Sequence, residues 1–90
     1  MKRIHIYVSG LVQGVYFRHN TMIQADRLAL NGWVKNLTDG RVEIICEGSD
    51  ESIDKMAAWC NIGPIGAYVE GLEIQQEEFK NEFKKFQIIY

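Results

Sequence analysis

The sequence predicts an α+β fold in the order βαββαβ, with one further strand at its C-terminal end. Three observations carry that expectation. Apolar residues alternate with polar ones at Ile4, Ile6 and Val8, and again at Val42, Ile44 and Cys46, the period of two that marks strands. Ile53, Met56, Ala57 and Cys60 recur at i, i+3, i+4 and i+7, which places one apolar face along a helix. Only two helical segments are present, too few to cover both faces of a four- or five-stranded sheet, so both are expected on one face.

Taken in order, residues 3–9 read as the first strand, with His5, Tyr7 and Ser9 opposite the apolar side. A loop containing Gly10 and Gly14 leads to a helix over 17–30. Met22, Ala25 and Ala29, with Leu28 beside them, form its expected stripe, and Asn31-Gly32 supplies its stop signal. Trp33 to Leu37 reads as a short strand closed by Thr38-Asp39-Gly40, where Asp-Gly marks a tight hairpin turn. In the third strand Glu43, Ile45 and Glu47 oppose the apolar side. Ser49 and Asp50 are candidate caps for the second helix, which Gly63-Pro64 ends. A strand over 67–75, bent near Gly71, is followed by a polar connection. Phe86, Ile88 and Tyr90 then alternate in the last strand. There is no repeat, low-complexity segment or linker, and 90 residues are too few for two cores. Residues 1–90 are therefore expected to form one domain. The order matches the split βαβ arrangement of ferredoxin-like folds, an antiparallel sheet with two helices on one face. That fold hosts many functions and decides no chemistry.

Composition narrows the functional classes. With 47% hydrophobic and 24% charged residues the chain is ordinary for a globular protein. Ten basic residues against twelve acidic ones leave a net charge of −2, and the basic residues are scattered. A duplex-binding domain carries the opposite balance on one face. An RNA reader on this topology would need an aromatic-basic strand that is missing here. Glu77-Glu78, close to Lys80, Lys84 and Lys85, reads as a solvated mixed-charge face. No apolar run is long enough to cross a bilayer. Lys2 and Arg3 precede alternation instead of the apolar core of a signal peptide. A cytoplasmic location is expected. Cys46 and Cys60 fall at apolar positions and read as buried hydrophobes without a disulfide. The two histidines and two cysteines show no paired spacing, so no metal site is expected.

The chemistry concentrates in Ser9-Gly-Leu-Val-Gln-Gly-Val-Tyr-Phe-Arg18. Backbone N–H groups in a helix's first turn lack partners and carry the positive end of its dipole. A loop with Gly10 and Gly14 can aim such groups inward as an anion nest. The glycines alone serve a plain strand-to-helix turn equally well. The loop lacks the Lys-Ser/Thr ending of a P-loop and the third glycine of a dinucleotide fingerprint. Arg18 shifts the balance. In a helix's first turn a cation is poorly placed for the dipole, unless an anion sits between it and the loop. Its planar fork suits a phosphoryl group. The alternative is a surface arginine paired with a carboxylate such as Asp26.

The run Gly10 to Arg18, G-L-V-Q-G-V-Y-F-R, resembles the acylphosphatase signature G-x-V-Q-G-V-x-F-R. Gly32 to Gly40, G-W-V-K-N-L-T-D-G, is similar to the family's second segment, G-W-V-[KR]-N followed by a hairpin turn. Element order, Gly63-Pro64 and the aromatic C-terminal strand extend the resemblance over the chain. Departures are Leu11 where many members have Arg, Tyr16 where many have Gly, and His19 after the arginine.

The resemblance implies a hydrolase that needs neither metal nor cofactor and splits small acyl phosphates into carboxylate and inorganic phosphate. Arg18 would then bind the phosphoryl group and Asn36 orient the attacking water. The backbone of Leu11, Val12, Gln13, Gly14, Val15, Tyr16 and Phe17 would cradle the phosphate. Inorganic phosphate is expected as product and competitive inhibitor, and the chain is expected to act as a monomer. The competing reading is a non-catalytic ferredoxin-like module that binds phosphate metabolites or a protein partner. Such a module has no need of Arg18 and Asn36 together. His19 follows Arg18 by one residue, about 100° around a helix, and is expected to face elsewhere. His5 is expected to be an ordinary sheet residue, and the tryptophans and phenylalanines to serve the core.

Overall fold

Alternation in the first residues becomes β1 (Lys2–Leu11), and the glycine loop leads into α1 (Phe17–Arg27). Strands β2 (Asn31–Asn36) and β3 (Val42–Gly48) form a hairpin, followed by α2 (Asp50–Cys60), β4 (Tyr68–Glu77) and β5 (Phe86–Ile89). This computed structural model describes all residues from Met1 to Tyr90. The sheet order is β4-β1-β3-β2-β5. The βαββαβ core is antiparallel, with Ile4 opposite Cys46 and Val34 opposite Ile44. The added strand β5 pairs parallel to β2, Gly32 opposite Phe86, so the whole sheet is mixed.

One face of the sheet and both helices enclose the core. Ile4, Ile6, Val8, Val34, Val42, Ile44, Cys46 and Phe86 come from the strands. Phe17, Ala25, Ile53, Met56 and Cys60 come from the helices. The pairing of β1 with β4 shifts register at Ser9/Gly10, opposite Gly71, where the sequence predicts a bend. Gly10 has φ 121, and a Cβ there would lie 2.2 Å from the Tyr68 carbonyl oxygen, so only glycine fits this bulge.

Helix α2 follows its prediction. The Ser49 hydroxyl accepts the Ser52 N–H at 3.2 Å, Asp50 and Glu51 occupy the first turn, and Ile53, Met56 and Cys60 are buried. In helix α1, Ala25 is buried and Met22 and Leu28 pack against the core as predicted, but Ala29 is exposed and the other buried positions are Phe17 and Thr21. Buried Thr21 is tolerated because its hydroxyl donates back to the Phe17 carbonyl at 2.8 Å. The helix also stops earlier. Ala29 takes φ 55, Leu30 N–H donates to Ala25 O at 2.9 Å and Ala29 N–H to Asp26 O at 3.3 Å. That pattern is a Schellman closure with alanine in the place glycine usually fills. Exposed Ala29 is therefore a terminator, and Asn31-Gly32 opens β2 instead of ending the helix.

Both cysteines are free and buried. Loss of hydration raises the Cys46 thiol to about 12 and pushes the Cys60 thiol up as well, so neither is a nucleophile at neutral pH. No helix is long and apolar enough to cross a membrane.

Candidate active site

The site forms where the C-terminal end of β1, the start of α1, the end of β2 and the end of β5 converge. Phe17 anchors it from below, 2% exposed and packed against Trp59 with ring centroids 5.4 Å apart. Ahead of it Gly14 has φ 76 and Tyr16 φ 60. Those two left-handed residues coil the chain so that loop N–H groups turn toward one side. No backbone–backbone hydrogen bond engages the N–H groups of Val12, Gln13, Gly14, Val15 or Tyr16. No side chain caps α1, and its first turn holds no acidic residue. The contrast with α2, capped and acid-rich, shows that the positive end of α1 is left open.

Gln13 ties this loop to the hairpin. Its Nε2 donates to the carbonyls of Leu37 at 2.7 Å and Arg41 at 3.0 Å. The hairpin carries Asn36, opposite Val42 at the end of β2. Asn36 Oδ1 is buried and has no hydrogen-bond partner. An acceptor in that state usually has a water or ligand partner.

Val12, Gly14, Tyr16, Phe17, Arg18, His19, Asn36, Ile88 and Tyr90 line one cavity of about 570 Å³. That volume lies within the range of small-molecule sites. None of the lining residues is acidic. Arg18 makes no ion pair, with Asp26 or any other carboxylate. Its guanidinium carbon lies 5.0 Å from the Tyr90 ring centroid, a cation–π contact that leaves the donor edges free.

The structure thus brings Arg18, Asn36, Val12, Gly14, Tyr16 and Phe17 to one cavity. Leu11 belongs to β1, opposite Tyr68 and more than half exposed. The Gln13 side chain points to the hairpin, and Val15 packs against the core. These three do not line the cavity. His19 does, against the expectation from helical spacing. The cavity wraps the first turn of α1, so side chains 100° apart both border it. Ile88 and Tyr90 escaped the reading for this site. Alternation put them on one face, but no local signal says that β5 ends beside a loop more than sixty residues earlier.

His5 and the acidic run also differ from expectation. His5 Nε2 lies 2.6 Å from Glu43 and Nδ1 3.1 Å from Glu77, and Glu77 also accepts from Arg3 at 2.9 Å. The hydrogen bond from His5, then that from Arg3, holds the Glu77 carboxyl below the ordinary range. These groups lie on the sheet face away from the helices. Of the aromatic residues, Trp33 lies on that outer face near Lys35, 5.3 Å from its ring centroid, instead of in the core.

A model of the acylphosphatase family matches residues 4–88. The acylphosphatase of Methylococcus capsulatus is 46% identical over 89 residues, covering 99% of this chain and 97% of its own. That of Syntrophus aciditrophicus is 47% identical over 90 residues, covering 100% and 94%. Among solved structures, the acylphosphatase from Bacillus subtilis superimposes with a TM-score of 0.96 at 34% identity, covering 100% of both chains. With its signature loop at the open end of α1 and its second motif delivering Asn36 to the same cavity, the chain belongs to the acylphosphatase family.

Proposed function

We propose that the chain hydrolyses small acyl phosphates by in-line attack of a water held by Asn36 on a phosphoryl group held by Arg18 and the loop. One observation carries this reading. An unpaired guanidinium and an asparagine whose amide oxygen is buried without a partner line the same cavity beside uncommitted loop N–H groups. The phosphoryl oxygens would lie between the Arg18 fork and the N–H groups of the loop. The transition state is loose, with charge on those oxygens, so fixed donors do most of the work.

Asn36 Oδ1 accepts a hydrogen bond from the water while Nδ2 is free to donate to the substrate. The water oxygen forms the new P–O bond as the bond to the acyl oxygen breaks. The carboxylate leaves with that electron pair, and both protons of the water stay with the product phosphate, which forms as H2PO4−. A carboxylate is a good leaving group at neutral pH, so no general acid is required. Orientation of the water is chiefly an entropic contribution. The apolar and aromatic walls from Ile88, Tyr16 and Tyr90 border the space left for a small acyl group.

The test is phosphate release from benzoyl phosphate with and without chelator. Equal rates in both, with inorganic phosphate competing against substrate, are expected. Rates abolished by chelator and restored by Mg²⁺ overturn the mechanism. Tight phosphate binding with no turnover favours the non-catalytic module.

A further inference from the structure

A row of side chains crosses four strands on the outer face of the sheet. Glu77, Arg3, Glu47 and Asn31 occupy registered positions on β4, β1, β3 and β2. Arg3 and Glu47 are buried, 6% and 3% exposed. Arg3 donates to Glu77 at 2.9 Å, meets Glu47 at 3.5 Å and pairs with Glu82. Its guanidinium carbon lies 5.3 Å from the Phe83 ring centroid. The two oxygens of Glu47 accept the backbone N–H groups of Lys80 at 2.8 Å and Glu82 at 3.1 Å. Asn81 between them takes φ 50, so the turn closes on the carboxylate as a nest closes on an anion. Asn31 Nδ2 donates to Phe83 O at 3.3 Å and Gly32 N–H to Lys85 O at 3.0 Å. The row therefore clamps the connection 78–85 while it passes from β4 at one edge of the sheet to β5 at the other.

Strand β5 runs from this clamp toward the cavity, Phe86 opposite Gly32 and Ile89 opposite Lys35, a span of about 10 Å at 3.3 Å per residue. It is a short, parallel edge strand, the weakest kind of pairing in the sheet. A slip of one residue would turn Gln87 and Ile89 inward in place of Phe86 and Ile88. It would also carry the Tyr90 ring off Arg18. Buried ion pairs add little net stability, and fixing register is their best-attested use.

We propose that the Arg3–Glu47–Glu82 clamp sets the register of β5 and thereby positions Arg18, through Tyr90, from the opposite end of the sheet. None of the three clamp residues lines the cavity, so they are positioning residues. The inference rests on the role proposed for Arg18.

The test uses the full chain with Glu47→Ala, Glu82→Ala and Tyr90→Ala, singly and combined. It measures KM and kcat for benzoyl phosphate, Ki for inorganic phosphate, and amide hydrogen exchange over residues 86–89. Both clamp variants are expected to raise KM and Ki about three- to tenfold, with faster exchange at Ile88 and Ile89. The kcat should fall as KM and Ki rise, because the Arg18 fork also holds the charged oxygens of the transition state. The comparison with Tyr90→Ala separates a positioning effect from general destabilisation. In the Tyr90→Ala background a clamp variant should add nothing to KM. Glu82→Ala decides the matter if Glu47→Ala does not fold. Unchanged Ki in Glu82→Ala, or clamp and Tyr90 effects that simply add, overturns the proposal. If the parent chain does not hydrolyse benzoyl phosphate, the proposed function fails, while phosphate binding and exchange still decide the clamp.

Discussion

Replacing Asn36 with leucine separates what its amide does for turnover from what its bulk does for the fold. Asn36 lines the cavity, and its buried Oδ1 has no protein partner. A buried acceptor left unpaired costs about 1–3 kcal/mol, and a water held there recovers part of that. Leucine has nearly the same outline, suits the last position of β2 and brings no acceptor. The variant is therefore expected to gain up to about 1 kcal/mol, or about 4–8 °C in Tm for a chain of this size. Turnover should move the other way. Losing a preorganised polar contact to the reacting group lowers kcat by about 10²–10³, roughly 2.7–4 kcal/mol. Inorganic phosphate should bind within about threefold of the parent, since Arg18 and the loop N–H groups are untouched and the lost contact matters mainly in the transition state. Benzoyl phosphate kinetics, phosphate inhibition and a thermal circular dichroism scan read all three quantities. A variant that loses stability and activity together, or loses phosphate affinity in step with kcat, would falsify this assignment and leave Asn36 a structural residue.

Arg18→Lys should lower kcat/KM by about 10²–10³ and weaken phosphate binding, because a point charge cannot reproduce two parallel hydrogen bonds. His19→Gln, at the same cavity, should stay within about tenfold of the parent; the reverse pattern in steady-state kinetics points to histidine chemistry. Glu77, whose carboxyl is held low by His5 and Arg3, contributes stability that is fully present above the unfolded value of about 4.3 and is lost as pH falls through its lower folded value. Urea melts from pH 6 down to pH 2 should show a steeper acid loss for the parent than for Glu77→Gln; equal slopes remove Glu77 from the acid response. Ala29→Gly should raise Tm by about 2–4 °C, since relief of about 1 kcal/mol at a left-handed alanine outweighs the entropy glycine adds to the unfolded chain. A lower Tm shows that the Ala29 conformation is not strained.

Much of this molecule is written locally. Ile4/Ile6/Val8 and Val42/Ile44/Cys46 report strands because side chains alternate across a pleated backbone. Ser49 and the Ile53–Cys60 stripe report a helix because capping and burial depend on residues within one or two turns. The signature-loop and hairpin motifs are contiguous runs, so Arg18 and Asn36 could be named before any partner was known, and both border the cavity. Even in α1 only the end erred, by about a turn, because the Ala29 closure depends on hydrogen bonds that composition does not announce.

What the sequence could not determine was which distant segments meet. Arg3, Glu47 and Glu82 stand far apart in the sequence until two strands and a connection bring them into one clamp around the buried Arg3 and Glu47. His5 reads as an ordinary strand residue until β3 and β4 bring a carboxylate to each ring nitrogen. Ile88 and Tyr90 show their shared face in their alternation, but their place beside Arg18 follows only from β5 crossing the sheet and pairing parallel to β2. Long-range pairing depends on which contacts repay the entropy of closing a loop. That balance belongs to the whole fold, so only the tertiary structure decided it.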